Sequence, residues 1–179
     1  MNDEAVKMLG DLSVFFRTML SKGEDIISLK EEVTHTRSYL DIQQVRYRDI
    51  LDFEIALPKE LEKVCLPKLT LQPLAENALY HGVKEKRGKS TIWITCRLEG
   101  ETVVIQVRDN GIGIAKERLE ELKAALNSRK RIGFGMSAVQ ERLRLFFGEP
   151  YGMSVCSEYG KGTCVEICIP ISEKIQQKS

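Results

Sequence analysis

The run Val103-Val104-Ile105-Gln106-Val107-Arg108 places Val103, Ile105 and Val107 on one side of an extended chain. Period two with one greasy side is the mark of a strand that covers a core on one face. The run stops at Asp109-Asn110-Gly111-Ile112-Gly113-Ile114. Two glycines spaced by one residue permit backbone conformations that a Cβ forbids, so the chain turns there with a carboxylate aimed by a rigid strand end. A strand of this kind needs partners and a cover, and the rest of the chain supplies both.

Leu51, Phe53, Ile55 and Leu57 alternate up to Pro58, and Ile92, Ile94, Cys96 and Leu98 share another face. The runs Met153–Glu158 and Thr163–Ile169 form a hairpin through Tyr159-Gly160-Lys161-Gly162. Helical spacing marks residues 69–82, 116–127 and 135–147, with a basic linker at Ser128 to Arg131. Each strand has one apolar and one mixed face, so helices are expected on one side of the sheet only. The expected class is α+β, a two-layer sandwich over residues 49–179.

Residues 1–48 read as a helical hairpin. Val6, Leu9, Leu12, Phe16, Met19 and Leu20 recur at helical spacing up to Gly23, and Ser28-Leu29-Lys30-Glu31 has the form of a capping box opening a second helix to about Tyr47. Two amphipathic helices alone leave their stripe uncovered. A second copy, giving a homodimer, or the following domain should cover it.

Lys+Arg 27 against Asp+Glu 26 gives a net charge of +1, which argues against a nucleic-acid partner. No apolar run approaches the ~20 residues that span a bilayer. Cys65, Cys96, Cys156, Cys164 and Cys168 include no CxxC pair, and only His35 and His81 could join them, which argues against zinc. They read as small buried hydrophobes in a reducing, cytosolic setting.

Asp109 beside bare backbone suits a neutral heterocycle with an exocyclic amine, such as adenine, better than a phosphate. Asp-Asn-Gly is also ordinary turn chemistry, so the companions of this stretch decide its meaning. On a helical wheel of residues 69–82, Leu71, Leu74, Ala75, Ala78, Leu79 and Gly82 face the sheet, while Glu76, Asn77, Tyr80 and His81 lie elsewhere. Asn77, a neutral amide off the core side, is a candidate ligand for magnesium, which takes one or two protein oxygens plus phosphates. The alternative is that Asn77 and His81 only solvate the helix. Arg131-Ile132-Gly133-Phe134-Gly135-Met136 leads into a helix, and bare amides at a helix start form an anion site. Gly133-x-Gly135-x-x-Ala138 followed by Glu158 fits a dinucleotide fingerprint, but the polar linker before it replaces the required buried strand. Gly88-Lys89-Ser90 lacks the leading glycine of a P-loop, since Val83 stands there, and a strand follows it.

In this order, Leu71-Gln72-Pro73-Leu74-Ala75-Glu76-Asn77-Ala78, Asp109-Asn110-Gly111-Ile112-Gly113, Gly133-Phe134-Gly135-Met136 and Gly160-Lys161-Gly162-Thr163 resemble the N, G1, G2 and Gly-Thr elements of the GHKL (Bergerat-fold) ATP-binding domain. Gln72–Gly82, Tyr39-Leu40-Asp41-Ile42-Gln43 and Val139-Gln140-Glu141-Arg142-Leu143 narrow the likeness to bacterial sensor histidine kinases of the LytS/YesM type. The resemblance implies a mixed sheet and Mg-ATP as cofactor. Asp109 would accept from the adenine amine with Thr163 in support, and Asn77 would hold magnesium. Gly111 and Gly113 would let the backbone approach the nucleotide, and Gly133 and Gly135, with Met136 beside them, would contact phosphates. Residues 115–132 would form a lid, and His81 would belong to the nucleotide site.

The expected activity is transfer of the γ-phosphate to a histidine in cis or in trans, and onward to an aspartate of a response regulator. Glu76 is the candidate for polarising the attacking imidazole. The family's Asn-Pro-His-Phe phosphoacceptor element does not occur in the chain, so the acceptor is expected upstream, in a receptor anchored to the bacterial membrane through segments outside these residues. Two departures stand out. Pro73 occupies the place where ATPases of the fold carry a water-activating Glu, and Tyr80 stands where many kinases carry a basic residue that Lys84, Lys86 or His81 would have to replace. The alternatives are an ATPase of this fold and a non-catalytic ATP-binding adapter.

Overall fold

The computed structural model describes residues 25–127 and 135–172. The proposed first helix, residues 3–22, and Gly133 lie outside the described residues.

Strand β1 (Ile26–Ser28) runs into helix α1 (Leu29–Arg46). Ser28 caps the helix as a capping box: its hydroxyl accepts from the Glu31 N–H, and the Glu31 carboxylate reaches back to the Ser28 N–H. Strand β2 (Leu51–Ala56) ends before Pro58, as Pro disrupts ladder pairing. A short strand β3 (Cys65–Pro67) pairs antiparallel with β1, a pairing not expected from sequence because each strand has only three residues. Helix α2 (Gln72–Asn77) continues as a π-helical turn over Ala78–Val83. Strands β4 (Ser90–Glu99) and β5 (Thr102–Asp109), helices α3 (Lys116–Asn127) and α4 (Met136–Phe147), and the hairpin β6 (Gly152–Glu158) and β7 (Gly162–Pro170) complete the chain.

The main sheet has the order β2-β4-β5-β7-β6, with β2 parallel to β4 and the other pairs antiparallel. Register aligns Ile94 with Val107 and Ile105 with Ile167, so one face is continuously apolar. Ile92, Ile94, Ile105, Ile167 and Ile169 are fully buried beneath Leu71, Leu74, Leu79, Val139 and Leu143 of the helices. The other face carries Trp93, Arg97, Gln106, Arg108 and Glu166; Arg97 bridges Glu99 and Glu166, and Arg108 lies over the Trp93 ring. This is the two-layer sandwich with one covered face that the alternation implied.

Two expectations need correction, and one left open is decided for α1. The regular helix expected over residues 69–82 begins only at Gln72, because Leu69 adopts φ 60, and it widens to a π-turn after Asn77. The stripe of α1 is covered by α2 and β2, so for this helix the following domain supplies the cover. Of the five cysteines only Cys96 is buried; Cys156 is exposed on the open sheet face, because its strand position alternates away from the core.

One-sided coverage sets an expected asymmetry in stability. Ile105→Ala should cost ~2–5 kcal/mol in denaturant unfolding, whereas Thr95→Ala on the open face should cost less than ~1 kcal/mol. Equal costs would contradict the two-layer arrangement.

Candidate functional site

The site forms where the end of β5 meets the π-turn after α2. Gly111 faces the backbone of Gly82 so closely that a Cβ there would fall on the Gly82 carbonyl, and the Ile112 N–H donates to that carbonyl at 3.1 Å. Gly82 in turn lies under the Asp109 carboxylate; a Cβ at Gly82 would stand 2.6 Å from Asp109 Oδ1. The G1 loop is tied to β4 by Asn110, whose Oδ1 accepts from the Thr91 N–H at 2.7 Å. Gly113, at φ +73, allows the chain to pass the Glu158 carbonyl at the β6–β7 turn. There the Ser157 hydroxyl joins Ile114 N–H, Gly162 carbonyl and Thr163 hydroxyl within 2.8–2.9 Å.

Around this junction opens a cavity of about 450 Å³, within the size range of small-molecule sites. Asn77, His81, Asp109, Gly113, Gly135, Met136 and Thr163 all line it. Asn77 and His81 share this wall because residues four apart lie on one face of a helix, here through the π-turn that follows Asn77. At one end Gly135, just before α4, packs against the Asn77 amide, where a Cβ would stand 3.1 Å from Nδ2. At the other end Asp109 is buried and accepts from the Gly111 N–H at 2.8 Å. Burial pushes its carboxyl up to about 6; the N–H groups of Gly111 and Thr163 and the Lys86 ammonium act in the opposite direction.

Two site expectations are placed elsewhere. Gly111 does not line the cavity; its missing side chain serves the approach to Gly82. Glu76 stands in a neighbouring groove with Pro73, Ala138, Glu141 and Leu145, and accepts from Gln72 Nε2 at 2.9 Å. The proposed lid, residues 115–132, divides. Its first part is α3, anchored by buried Leu119, Ala125 and Leu126 at helical spacing, so this part is a packed wall; residues 128–132 lie outside the described residues. Of the candidates for the missing basic charge, Lys84 lies over the Tyr47 and Tyr80 rings, Lys86 donates to the Asn110 carbonyl, and His81 alone lines the cavity. Arg118 from α3 also lines it, as do Gly82 and Leu122. No motif marks Arg118. The role of Gly82 was hidden because it fell on the apolar arc of its helix.

Residues 67–173 match the family described as histidine kinase-, DNA gyrase B- and HSP90-like ATPase. The chain belongs to that family. Residues 1–51 match a second family, histidine kinase. Over 169 residues, 94% of the chain, it is 34% identical to the sensor histidine kinase YesM of Bacillus subtilis (strain 168), and over 170 residues it is 33% identical to the sensor protein LytS of Bacillus cereus. The chain spans 28% and 29% of the lengths of these relatives. Its fold is similar to the histidine kinase domain of the Erythrobacter litoralis EL346 blue-light activated histidine kinase, at a TM-score of 0.59 and 18% identity over 95% of this chain and 76% of that one. Within the histidine kinase-, gyrase- and HSP90-like family, this is an ATP-binding domain of the sensor histidine kinase type. Among the described residues, no helix is long and apolar enough to cross a membrane.

An ionised carboxylate accepts from an adenine amine more strongly than a protonated one, so with Asp109 at about 6 the affinity for ATP should be full above that pH and weaken as pH drops through it. Asp109→Asn should lose a charge-assisted hydrogen bond, ~1.5–3 kcal/mol or roughly ten- to a hundredfold in affinity, and should flatten that pH dependence. Titration calorimetry between pH 5 and 8 checks both; unchanged affinity in the variant would remove Asp109 from adenine recognition.

Proposed function

We propose that this chain is the Mg-ATP-binding catalytic part of a two-component sensor kinase, transferring the γ-phosphate to a histidine of the same receptor, in cis or in trans, for passage to an aspartate of a response regulator. The observation that carries the reading is the placement of Asp109 and Asn77 on different ends of one cavity, joined by the Asn77–Gly82 segment. Asp109 takes the adenine amine, with Thr163 beside it. Gly113 leaves the loop backbone close to the base, and Gly135 and Met136 lie toward the phosphates.

Asn77 fits magnesium by its chemistry: a neutral, hard oxygen donor in the cavity wall, with room beside it where Gly135 lacks a side chain. Bound there, magnesium would neutralise charge on the phosphate oxygens. His81 and Arg118 bring further positive or donor groups to the same walls. The imidazole nitrogen forms a bond to the γ-phosphorus as the bridging P–O bond breaks and ADP leaves. The Glu76 carboxylate, in the groove beside Gly135, receives the imidazole proton by hydrogen bond. Such transfer needs positioning and charge neutralisation more than covalent chemistry from the protein.

Pro73 disfavours the ATPase alternative, since it offers no group to activate water. His35 is an unsuitable acceptor: it lies half-buried in α1 between Glu31 and Lys68, where burial lowers its basicity, and it does not line the cavity. The full-length protein is proposed to be a dimeric receptor of the bacterial cell membrane, with this part on the cytoplasmic side.

Incubating the chain with labelled ATP and the histidine-bearing helix of the same receptor should yield acid-labile, base-stable phosphate on that helix. Asn77→Ala should reduce the yield about a hundredfold or more, as misplacing the phosphates alone costs that much. Steady ATP hydrolysis without phosphohistidine would favour the ATPase, and ATP binding without either would favour the adapter.

A further inference from the structure

Helix α2 carries Asn77, yet nothing in its own sequence caps its start. Leu71 at the N-cap makes no side-chain cap bond, and Leu69 just before it is held at φ 60, a conformation that costs a branched residue energy. The missing acceptor comes from far upstream. The Glu32 carboxylate of α1, 1% exposed, accepts from the N–H of Leu69 at 3.1 Å and from those of Thr70 and Leu71 at 2.7 Å. From the opposite side the Arg142 guanidinium of α4 donates to the carbonyls of Lys68, at 2.9 Å, and Leu69. A buried carboxylate thus holds the donors of loop 68–71, and a half-buried guanidinium holds its acceptors.

The two helices joined through this loop, α2 and α4, both reach the cavity. α2 ends in Asn77, and α4 follows Gly135, which packs on the Asn77 amide. Asp109 is held differently, by the end of β5 and the Gly82–Gly111 contact, and Glu32 reaches neither. We propose that Glu32 is a positioning residue: with Arg142 it fixes loop 68–71, and through it the placement of Asn77 against Gly135 at the phosphate end of the cavity, leaving the adenine end independent. This deepens the nucleotide reading proposed above and rests on it. Glu32 pays for its burial with three backbone donors and the Arg142 charge nearby, an arrangement out of proportion to holding an ordinary surface loop. It also makes α1 part of the site's scaffold, so a shift of α1 along its axis would be felt at Asn77 before it was felt at Asp109.

The test separates the two ends. Glu32→Gln keeps the volume but has one acceptor oxygen and sets an amide donor against backbone N–H groups. In the 179-residue chain, adenosine affinity measured by NMR titration should stay within about twofold of wild type, while affinity for ATP with magnesium should fall about tenfold or more. Arg142→Lys, which keeps the charge but loses the fork, should show the same split. In the wild type, where folding is not in question, magnesium-ATP should slow hydrogen exchange at Leu69, Thr70 and Leu71 and adenosine should not. Equal losses for both ligands, no loss in either variant, or equal protection by both ligands would overturn the positioning role. Failure of the wild-type chain to bind ATP would instead overturn the nucleotide reading, and this inference with it.

Discussion

The site depends on a backbone-to-backbone contact that leaves no room for a side chain on Gly111, while the Asp109 carboxylate leaves none on Gly82. Gly111 and Gly82 meet so closely that the end of β5 is seated directly on the π-turn, with the Ile112 N–H donating to the Gly82 carbonyl. The Asp109 carboxylate is carried into the space above Gly82 as a consequence. A buried carboxylate is costly unless donors reach it, and the turn geometry supplies them from the N–H groups of Gly111 and Thr163. The same burial that shapes the proposed adenine acceptor raises its pKa to about 6, so the proposed recognition and the acid sensitivity have one origin.

Periodicity made most of this architecture legible. Alternation in residues 51–57, 92–98 and 103–107 and in the final hairpin placed all five strands of the main sheet and the covered face, because a half-buried strand must alternate. What escaped has physical reasons. The β1–β3 pair is too short to show a period. The π-turn at Ala78–Val83 keeps the same apolar residues as an α-helix and differs only in bonding, such as the Lys84 N–H reaching Leu79. The wheel nevertheless separated Asn77 and His81 from the core arc, and both line the cavity. Helical spacing marked residues 116–127, and Leu119 and Leu126 bury one side of α3, so the first part of the segment that the resemblance made a lid is a packed helix. Nothing in the sequence marks Glu32; its burial depends on a loop 37 to 39 residues away, which no local pattern contains.

The cavity is assembled from two mechanically different halves. Asp109, Gly113 and Thr163 belong to the sheet and its turns, where ladder hydrogen bonds and the Ser157 cluster fix every element. Asn77, Gly135 and Met136 belong to helix ends, held by helix packing and by the loop 68–71 staple. The proposed nucleotide, with a rigid base and a flexible charged tail, would span both halves. Its base would meet a preformed wall, and its tail the part of the structure whose geometry other helices can adjust. That division is suited to a domain whose chemistry must respond to events outside it.

Pro73 ties the helix start to the choice of reaction. In the first turn of α2 it removes one backbone donor, leaving Glu32 to meet those of Leu69, Thr70 and Leu71, while the Leu74 and Ala75 N–H groups turn back to the Leu71 carbonyl. The proline therefore fits a loop satisfied from outside, where a residue with its own N–H would add another donor in search of an acceptor. Its ring lines the groove that also holds Glu76 and Leu145 and offers no oxygen to orient water. The Glu76 carboxylate nearby is already engaged by Gln72, which holds it toward this groove and away from the adenine end. With no water-activating side chain at residue 73 and the Glu76 carboxylate lining the groove instead, the groove is the path by which the proposed imidazole acceptor would approach.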